Sequence, residues 1–132
     1  MKKLLFIILI FTTSFSYCQT AEEYYNTGNS KLRIEDYRGA IADYSLAIQL
    51  KSNFFEAFVN RGISKVDLKD YIGAIADFNI AIEINPYFTE AYYNRGSSKF
   101  LLNQKESACL DWSKAGELGD GSAYDLIKKY CN

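Results

Sequence analysis

The residue types that most often carry out chemistry are either missing from this sequence or spread along it at regular intervals. Its 132 residues include no histidine and three cysteines, which excludes histidine metal sites and Ser-His or Cys-His nucleophile pairs. Aspartates recur at positions 43, 77 and 111, and isolated glycines recur at 28, 62 and 96. Carboxylates repeated in this way usually belong to exposed helix faces, and single glycines form no phosphate-binding loop. We therefore predict no enzyme, no cofactor and no metal site.

The charge balance argues against nucleic acid as a partner. Fifteen basic and 16 acidic residues give a formal net charge of −1, whereas binding to phosphate backbones requires a basic surface. With 48% apolar and 16% aromatic residues, the composition is that of an ordinary globular protein.

Residues 1–18 have the pattern of a secretory signal peptide. Lys2 and Lys3 precede an unbroken apolar run from Leu4 to Phe11, and this run is much shorter than the ~20 residues that span a bilayer. We expect an exported protein, periplasmic or secreted, that contacts the membrane only through this transient segment.

The cleavage site leaves one alternative open. Ser16 and Cys18 are the small residues that precede a cut between Cys18 and Gln19. Cys18 would instead be the lipid-anchored first residue if the segment were a lipoprotein signal. The bulky Tyr17 directly before Cys18 favours simple cleavage.

The rest of the chain repeats itself every 34 residues. The phrase Gly-Ala-Ile-Ala-Asp-Tyr at 39–44 returns as Gly-Ala-Ile-Ala-Asp-Phe at 73–78. Periods of 20–50 residues indicate stacked arrays. Each unit contains two segments of helical periodicity that a short polar turn separates. The predicted helix pairs are 21–33 with 37–50, 55–67 with 71–84, and 89–101 with 105–118.

These helix pairs predict an all-α fold, an α-solenoid of three helix-turn-helix repeats plus a C-terminal capping helix. The repeats are expected at 21–54, 55–88 and 89–121, and the capping helix at 122–132 with Ser122 as its N-cap. Small residues in the repeats let antiparallel helices approach closely. The small residues expected at buried helix contacts are Gly28, Gly62, Gly96, Ala47, Ala81 and Ala115.

The repeated positions resemble the tetratricopeptide repeat family, whose pattern combines an aromatic residue, a glycine, Ala-x-x-x-Phe and a proline. The matches are Tyr24, Gly28, Ala40 and Tyr44; Phe58, Gly62, Ala74, Phe78 and Pro86; and Tyr92, Gly96, Ala108 and Trp112. The sequence departs from the family where Arg61 and Arg95 replace a leucine, and only the second repeat has the proline.

The resemblance implies a concave groove that the first helix of each repeat lines. It also implies a non-catalytic protein-protein interaction module, which we place in the cell envelope and which binds a peptide or protein partner in that groove. Carried over by register, the predicted groove residues are Tyr25, Asn26, Asn29, Leu32, Val59, Asn60, Ile63, Tyr93, Asn94, Ser97 and Phe100.

Asn26, Asn60 and Asn94 recur in register, and two interpretations of them stay open. Their amides could pair with the backbone of an extended peptide, because an amide both donates and accepts. They could equally form hydrogen bonds between helices or be inherited from duplication. The same choice between partner contact and core packing applies to the aromatic groove residues.

Chaperone-binding members of the family hold a C-terminal carboxylate with lysine and asparagine at matching groove positions. Tyr25 and Val59 stand at such positions here and are uncharged. The resemblance therefore predicts no carboxylate clamp in this chain.

Self-association is the alternative function. Gln19 and Thr20 provide only a short segment before the first helix. The N-terminal face of the array has no obvious cap, so it could stack on a second copy to form a homo-oligomer.

Ion pairs between neighbouring repeats are a further prediction. Arg61 and Arg95 follow a repeat that contains an aspartate, whereas the first repeat has Thr27 at that position. This pattern favours the pairs Asp43–Arg61 and Asp77–Arg95 over two solvated rows of charges.

A disulfide between Cys109 and Cys131 is predicted as well. An exported chain meets an oxidising compartment, and the register places Cys131 opposite the start of the helix that carries Cys109. The alternative is a reduced pair, with Cys109 as a small apolar residue and Cys131 as a frayed terminal thiol.

Overall fold

The computed structural model describes residues 19–132, which form seven α-helices and no strand. The predicted signal peptide and Cys18 lie outside the described residues. The helices are α1 (Ala21–Arg33), α2 (Tyr37–Leu50), α3 (Phe55–Asp67), α4 (Tyr71–Ile84), α5 (Thr89–Leu101), α6 (Lys105–Glu117) and α7 (Gly121–Tyr130). The predicted fold is confirmed, and α6 ends one residue before the predicted boundary.

Side-chain caps determine where several helices begin. Thr20 and Glu23 form a capping box at α1, in which each side chain accepts a hydrogen bond from the other residue's backbone N–H. Asp36 and Asp70 cap α2 and α4 by accepting from the N–H three residues later, at 3.0 Å in both cases.

The N-cap of α7 differs from the prediction. Asp120, not Ser122, holds that position, and its carboxylate accepts from the backbone N–H of Ser122 at 2.9 Å. The helix therefore begins at Gly121, two residues earlier than a Ser122 cap would allow.

The turn inside each helix pair contains one residue in the left-handed region. Glu35, Lys69 and Asn103 have φ of 62°, 63° and 60°. The same backbone conformation therefore closes all three hairpins, although only the third repeat uses asparagine, the residue type that tolerates it best.

An aromatic ring packs over a glycine in each helix pair. Phe78 is fully buried, and a Cβ built at Gly62 would lie 2.6 Å from its ring. Tyr44 covers Gly28 and Trp112 covers Gly96 in the same way. The predicted burial of all six small residues is confirmed. The glycines make room for a ring of their own repeat.

The helix pairs stack in chain order. α2 packs on α3, α4 on α5 and α6 on α7, while the first helices of neighbouring repeats also touch, α1 with α3 and α3 with α5. The first helices therefore line the inner side of the stack. None of the helices in residues 19–132 is long and apolar enough to cross a membrane.

The predicted ion pairs between neighbouring repeats are wrong. Arg61 binds Asp77 of its own repeat through two hydrogen bonds of 2.9 and 2.7 Å, and Lys65 lies 2.9 Å from the same carboxylate. Arg95, Lys99 and Asp111 repeat this arrangement. The two helices of one pair are antiparallel, and this brings the arginine and the aspartate of the same repeat together.

The arginines nevertheless reach the preceding repeat. The third nitrogen, Nη1, of Arg61 donates to Ser45 at 3.1 Å, and that of Arg95 donates to Asn79 at 2.9 Å. The first repeat has no such neighbour among the described residues, and Asp43 there pairs with Lys31 at 2.8 Å.

The aspartates at 43, 77 and 111 were expected on exposed faces, and this expectation is also wrong. Their exposed fractions are 8%, 2% and 4%. Such burial is tolerated because each carboxylate has a cationic partner.

The structure contains the predicted disulfide between Cys109 and Cys131. The Sγ–Sγ distance is 2.04 Å and the Cα–Cα distance is 5.8 Å, within the usual range for a disulfide. It connects the residue that follows α7 to the first half of α6.

Candidate peptide-binding groove

The predicted groove residues lie in three environments. Asn26 is exposed and Val59 is completely buried. The others are half-buried: Tyr25, Asn29, Leu32, Asn60, Ile63, Tyr93, Asn94, Ser97 and Phe100. Val59 packs in the apolar cluster of the second repeat, so its assignment to the groove surface is wrong.

A polar network joins the first two repeats on the inner side of the stack. The side-chain oxygen of Asn29 accepts from the Tyr44 hydroxyl at 2.7 Å and from the amide of Asn60 at 2.8 Å. The Asn60 amide also donates to the Tyr25 hydroxyl at 3.2 Å. Burial raises the pKa of Tyr44 to about 12, so its hydroxyl stays protonated into alkaline pH, where an exposed tyrosine would ionise.

This network leaves one donor and one acceptor open. Within residues 19–132, the Nδ2 group of Asn29 and the Oδ1 atom of Asn60 have no hydrogen-bond partner. Both residues are half-buried, and their amides are held in place by the bonds that they do make.

The three recurring asparagines are not equivalent. Asn60 forms a hydrogen bond between helices, which is one of the two interpretations left open by the sequence. The amide of Asn94 instead donates to the backbone oxygen of Glu90 on its own helix at 2.9 Å. Asn26 is exposed. The central residue of the network is Asn29, which the recurrence alone did not single out.

A signal for Asn29 was present in the sequence. Its position is occupied by Ile63 and Ser97 in the other repeats, and the facing aromatic residue changes with it. Tyr44 bonds Asn29, the ring nitrogen of Trp112 donates to Ser97 at 3.4 Å, and apolar Phe78 shares a cluster with Ile63.

Two of the aromatic groove residues contribute mainly to packing. The Tyr25 ring lies 4.8 Å from that of Phe54, and the Phe100 ring lies 5.5 Å from Trp112 and 4.5 Å from Tyr130. Tyr93, in contrast, lines an open cleft.

This cleft has a volume of about 470 Å³ and lies between the start of α5 and the turn from α6 to α7. A hydrogen bond of 3.5 Å from the Thr89 hydroxyl to the Leu118 carbonyl joins its two walls. Its lining residues are Thr89, Glu90, Tyr93, Asn94, Leu118, Gly119 and Asp120.

Comparison with known proteins adds the fold family. No protein-family model and no curated protein matches the sequence, but solved structures do. The chain is 27% identical to the first tetratricopeptide domain of Spaghetti (RPAP3) bound to the HSP90 peptide SRMEEVD, with a TM-score of 0.82, and the match covers 86% of this chain and 91% of that one. It is 26% identical to the TPR2B domain of yeast Sti1 in a complex with pHsp70, with a TM-score of 0.76 and coverage of 83% and 91%.

The fold is the tetratricopeptide repeat fold.

A third tetratricopeptide structure, the first domain of human RPAP3, is 26% identical with a TM-score of 0.81 and coverage of 85% and 90%.

On this tetratricopeptide scaffold, one side-chain type recurs at the start of every first helix. Glu22, Glu56 and Glu90 are the second residues of α1, α3 and α5. A carboxylate is favourable there because it faces the positive end of the helix dipole.

Proposed function

We propose that this chain is a non-catalytic protein-interaction module of the cell envelope that binds an extended peptide segment along its first helices. The open amide groups of Asn29 and Asn60 carry this proposal. An extended peptide presents one N–H donor and one C=O acceptor per residue. One open acceptor atom and one open donor group, held by Tyr25 and Tyr44, match the N–H and C=O of one residue of an extended peptide, which point to the same side.

The structural neighbours support the peptide class of partner. The RPAP3 domain binds the HSP90 peptide SRMEEVD, and the Sti1 domain forms a complex with pHsp70. Tyr25 is uncharged and Val59 is buried in the core, so this chain is still predicted to lack a clamp for a C-terminal carboxylate. We therefore expect an internal segment, not a free C-terminus, as the bound element.

The cell-envelope context rests on chemistry that suits export. The N-terminal sequence has a signal-peptide pattern, and disulfides persist in oxidising compartments outside the cytosol. The pairing of Cys109 with Cys131 is consistent with such a compartment.

The N-terminal face favours partner binding over self-association by stacking. The second repeat packs on the first through Phe54 and Ala57, and both residues are buried. At the corresponding positions the first repeat has the polar residues Thr20 and Glu23. These two residues form the capping box of α1. No helix precedes α1 within residues 19–132, so the polar character of this face, and not a covering element, is what disfavours stacking there.

Selection from a random peptide library on the purified protein tests the proposal. We expect the selected peptides to lose affinity roughly 3- to 10-fold on Asn29→Ala or Asn60→Ala, the effect of one hydrogen bond. Gln49→Ala, which removes an exposed amide from α2, is the matched control and should not change affinity. Peptides whose binding ignores both asparagines would contradict the groove as the binding site.

A further inference from the structure

The first helices separate their charges by face. On the side turned toward the second helices, their basic residues form ion pairs with buried aspartates. These basic residues are Lys31, Arg61, Lys65, Arg95 and Lys99, and their partners are Asp43, Asp77 and Asp111. Each of these basic groups is thus held on that side by an ion pair, although two cations share one carboxylate in the second and third repeats.

The glutamates at the start of these helices are matched less completely. Glu22 lies 3.4 Å from the ammonium group of Lys51. Across the part of the chain that the structure describes, no ion pair involves Glu56 or Glu90. The glutamates whose charge is free for a ligand are therefore those of the second and third repeats.

The cleft at the third repeat combines this charge with an aromatic side chain. Tyr93 and Asn94 line it together with the carboxylates of Glu90 and Asp120. An ammonium or guanidinium group is attracted both to a carboxylate and to the face of an aromatic ring. The chain already uses such contacts, since the Lys51 ammonium lies 4.3 Å from the centre of the Phe54 ring.

We propose that the groove selects an extended segment of positive charge, whose backbone pairs with Asn29 and Asn60 and whose lysine or arginine side chain enters the cleft beside Glu90 and Tyr93. The amide pair and the cleft lie on helices that are successive along the inner side of the stack, so one extended segment can contact both. This inference rests on the proposed function, because Asn29 and Asn60 hold the backbone of the segment whose side chain the cleft binds.

The test uses peptides selected from the random library and variants at Glu90. We expect the selected peptides to contain lysine or arginine, and Glu90→Gln to weaken their binding roughly 2- to 5-fold, as for one exposed ion pair. Glu106→Gln is the matched control, because Glu106 is also the second residue of its helix, α6, and lies outside the groove. Replacing the peptide's arginine with citrulline, or its lysine with norleucine, should weaken binding to the wild type more than binding to the Glu90→Gln variant, which keeps Tyr93 and Asp120.

The outcomes separate this inference from the proposed function. Peptides that depend on Asn60 but are neutral or acidic, or that bind the Glu90→Gln variant as tightly as the wild type, would overturn the charge selectivity and leave the groove in place. Absence of any peptide that depends on Asn60 would overturn both.

Discussion

At the scale of single residues, the aromatic side chain of each second helix is matched to the residue that it faces. A tyrosine hydroxyl meets an asparagine in the first repeat, and an indole N–H meets a serine in the third. Phenylalanine has no polar group, and isoleucine stands at the corresponding position in the second repeat. A buried donor is costly without a partner, so the identity of position 29, 63 or 97 depends on that of position 44, 78 or 112.

Gly62 makes the closest contact among the three glycines that an aromatic ring covers. Gly62→Leu should lower the free energy of unfolding by about 3 kcal/mol, because even a Cβ at this position would lie 2.6 Å from the Phe78 ring. Urea unfolding followed by circular dichroism measures the loss.

Gly121→Ala is the control for this change. A Cβ at Gly121 meets nothing within 4 Å, and we expect a change within roughly 0.5 kcal/mol. If Gly62→Leu unfolded at the same urea concentration as the wild type, the close packing of glycine and ring would be contradicted.

The sequence alone could not determine which aspartate each arginine pairs with. Arg61 follows Asp43 and precedes Asp77, and both aspartates belong to the same repeating series. A period of 34 residues specifies which positions are equivalent, but not which of two equivalent neighbours a side chain reaches. The antiparallel crossing of the two helices decides this, and it selects Asp77.

At the scale of elements, helices were more predictable than the groove. Periodicity and turn residues define where a helix begins and ends, and five of the six predicted repeat helices have the observed bounds at both ends. Groove exposure depends on how far each side chain extends beyond the packed helices. Val59 is completely buried where Tyr25 and Tyr93 are half-exposed, although all three occupy the same register position.

The capping helix α7 has the fewest neighbours, because α6 is the only helix on which it packs extensively. Its disulfide should therefore contribute measurably to stability. We expect the Cys109→Ala/Cys131→Ala variant to lose about 3 kcal/mol of unfolding free energy, because the bond closes a loop with a sequence separation of 22 residues.

Urea unfolding of the oxidised wild type, the reduced wild type and the double variant provides the measurement and its control. The reduced wild type should match the double variant. Equal stability of the oxidised and reduced forms would show that the tether contributes nothing.

At the scale of the whole molecule, the polar N-terminal face should keep copies of the chain apart. Replacing Thr20 by Phe, Glu23 by Ala and Thr27 by Arg gives this face the residues that internal repeats use for stacking. We expect the triple variant to associate with increasing concentration, and the wild type to keep one mass, in size-exclusion chromatography with light scattering.

Ser113→Phe adds an aromatic residue at an exposed position of α6 and serves as the control for unspecific stickiness. A triple variant that associates no more than this control would refute the role of the polar face. A wild type whose mass increased with concentration would favour the self-associating alternative.

The disulfide has a further consequence for how the array opens. Repeat arrays are held by nearest-neighbour contacts, so thermal opening starts at an end and moves inward. With the last helix covalently joined to α6, fraying from that end is suppressed. The first repeat is also held less firmly, since Asp43 has one lysine where Asp77 and Asp111 have a lysine and an arginine. Amide hydrogen exchange should therefore be faster in α1 than in α6, so the end of the groove that carries Asn29 is the end that opens more often.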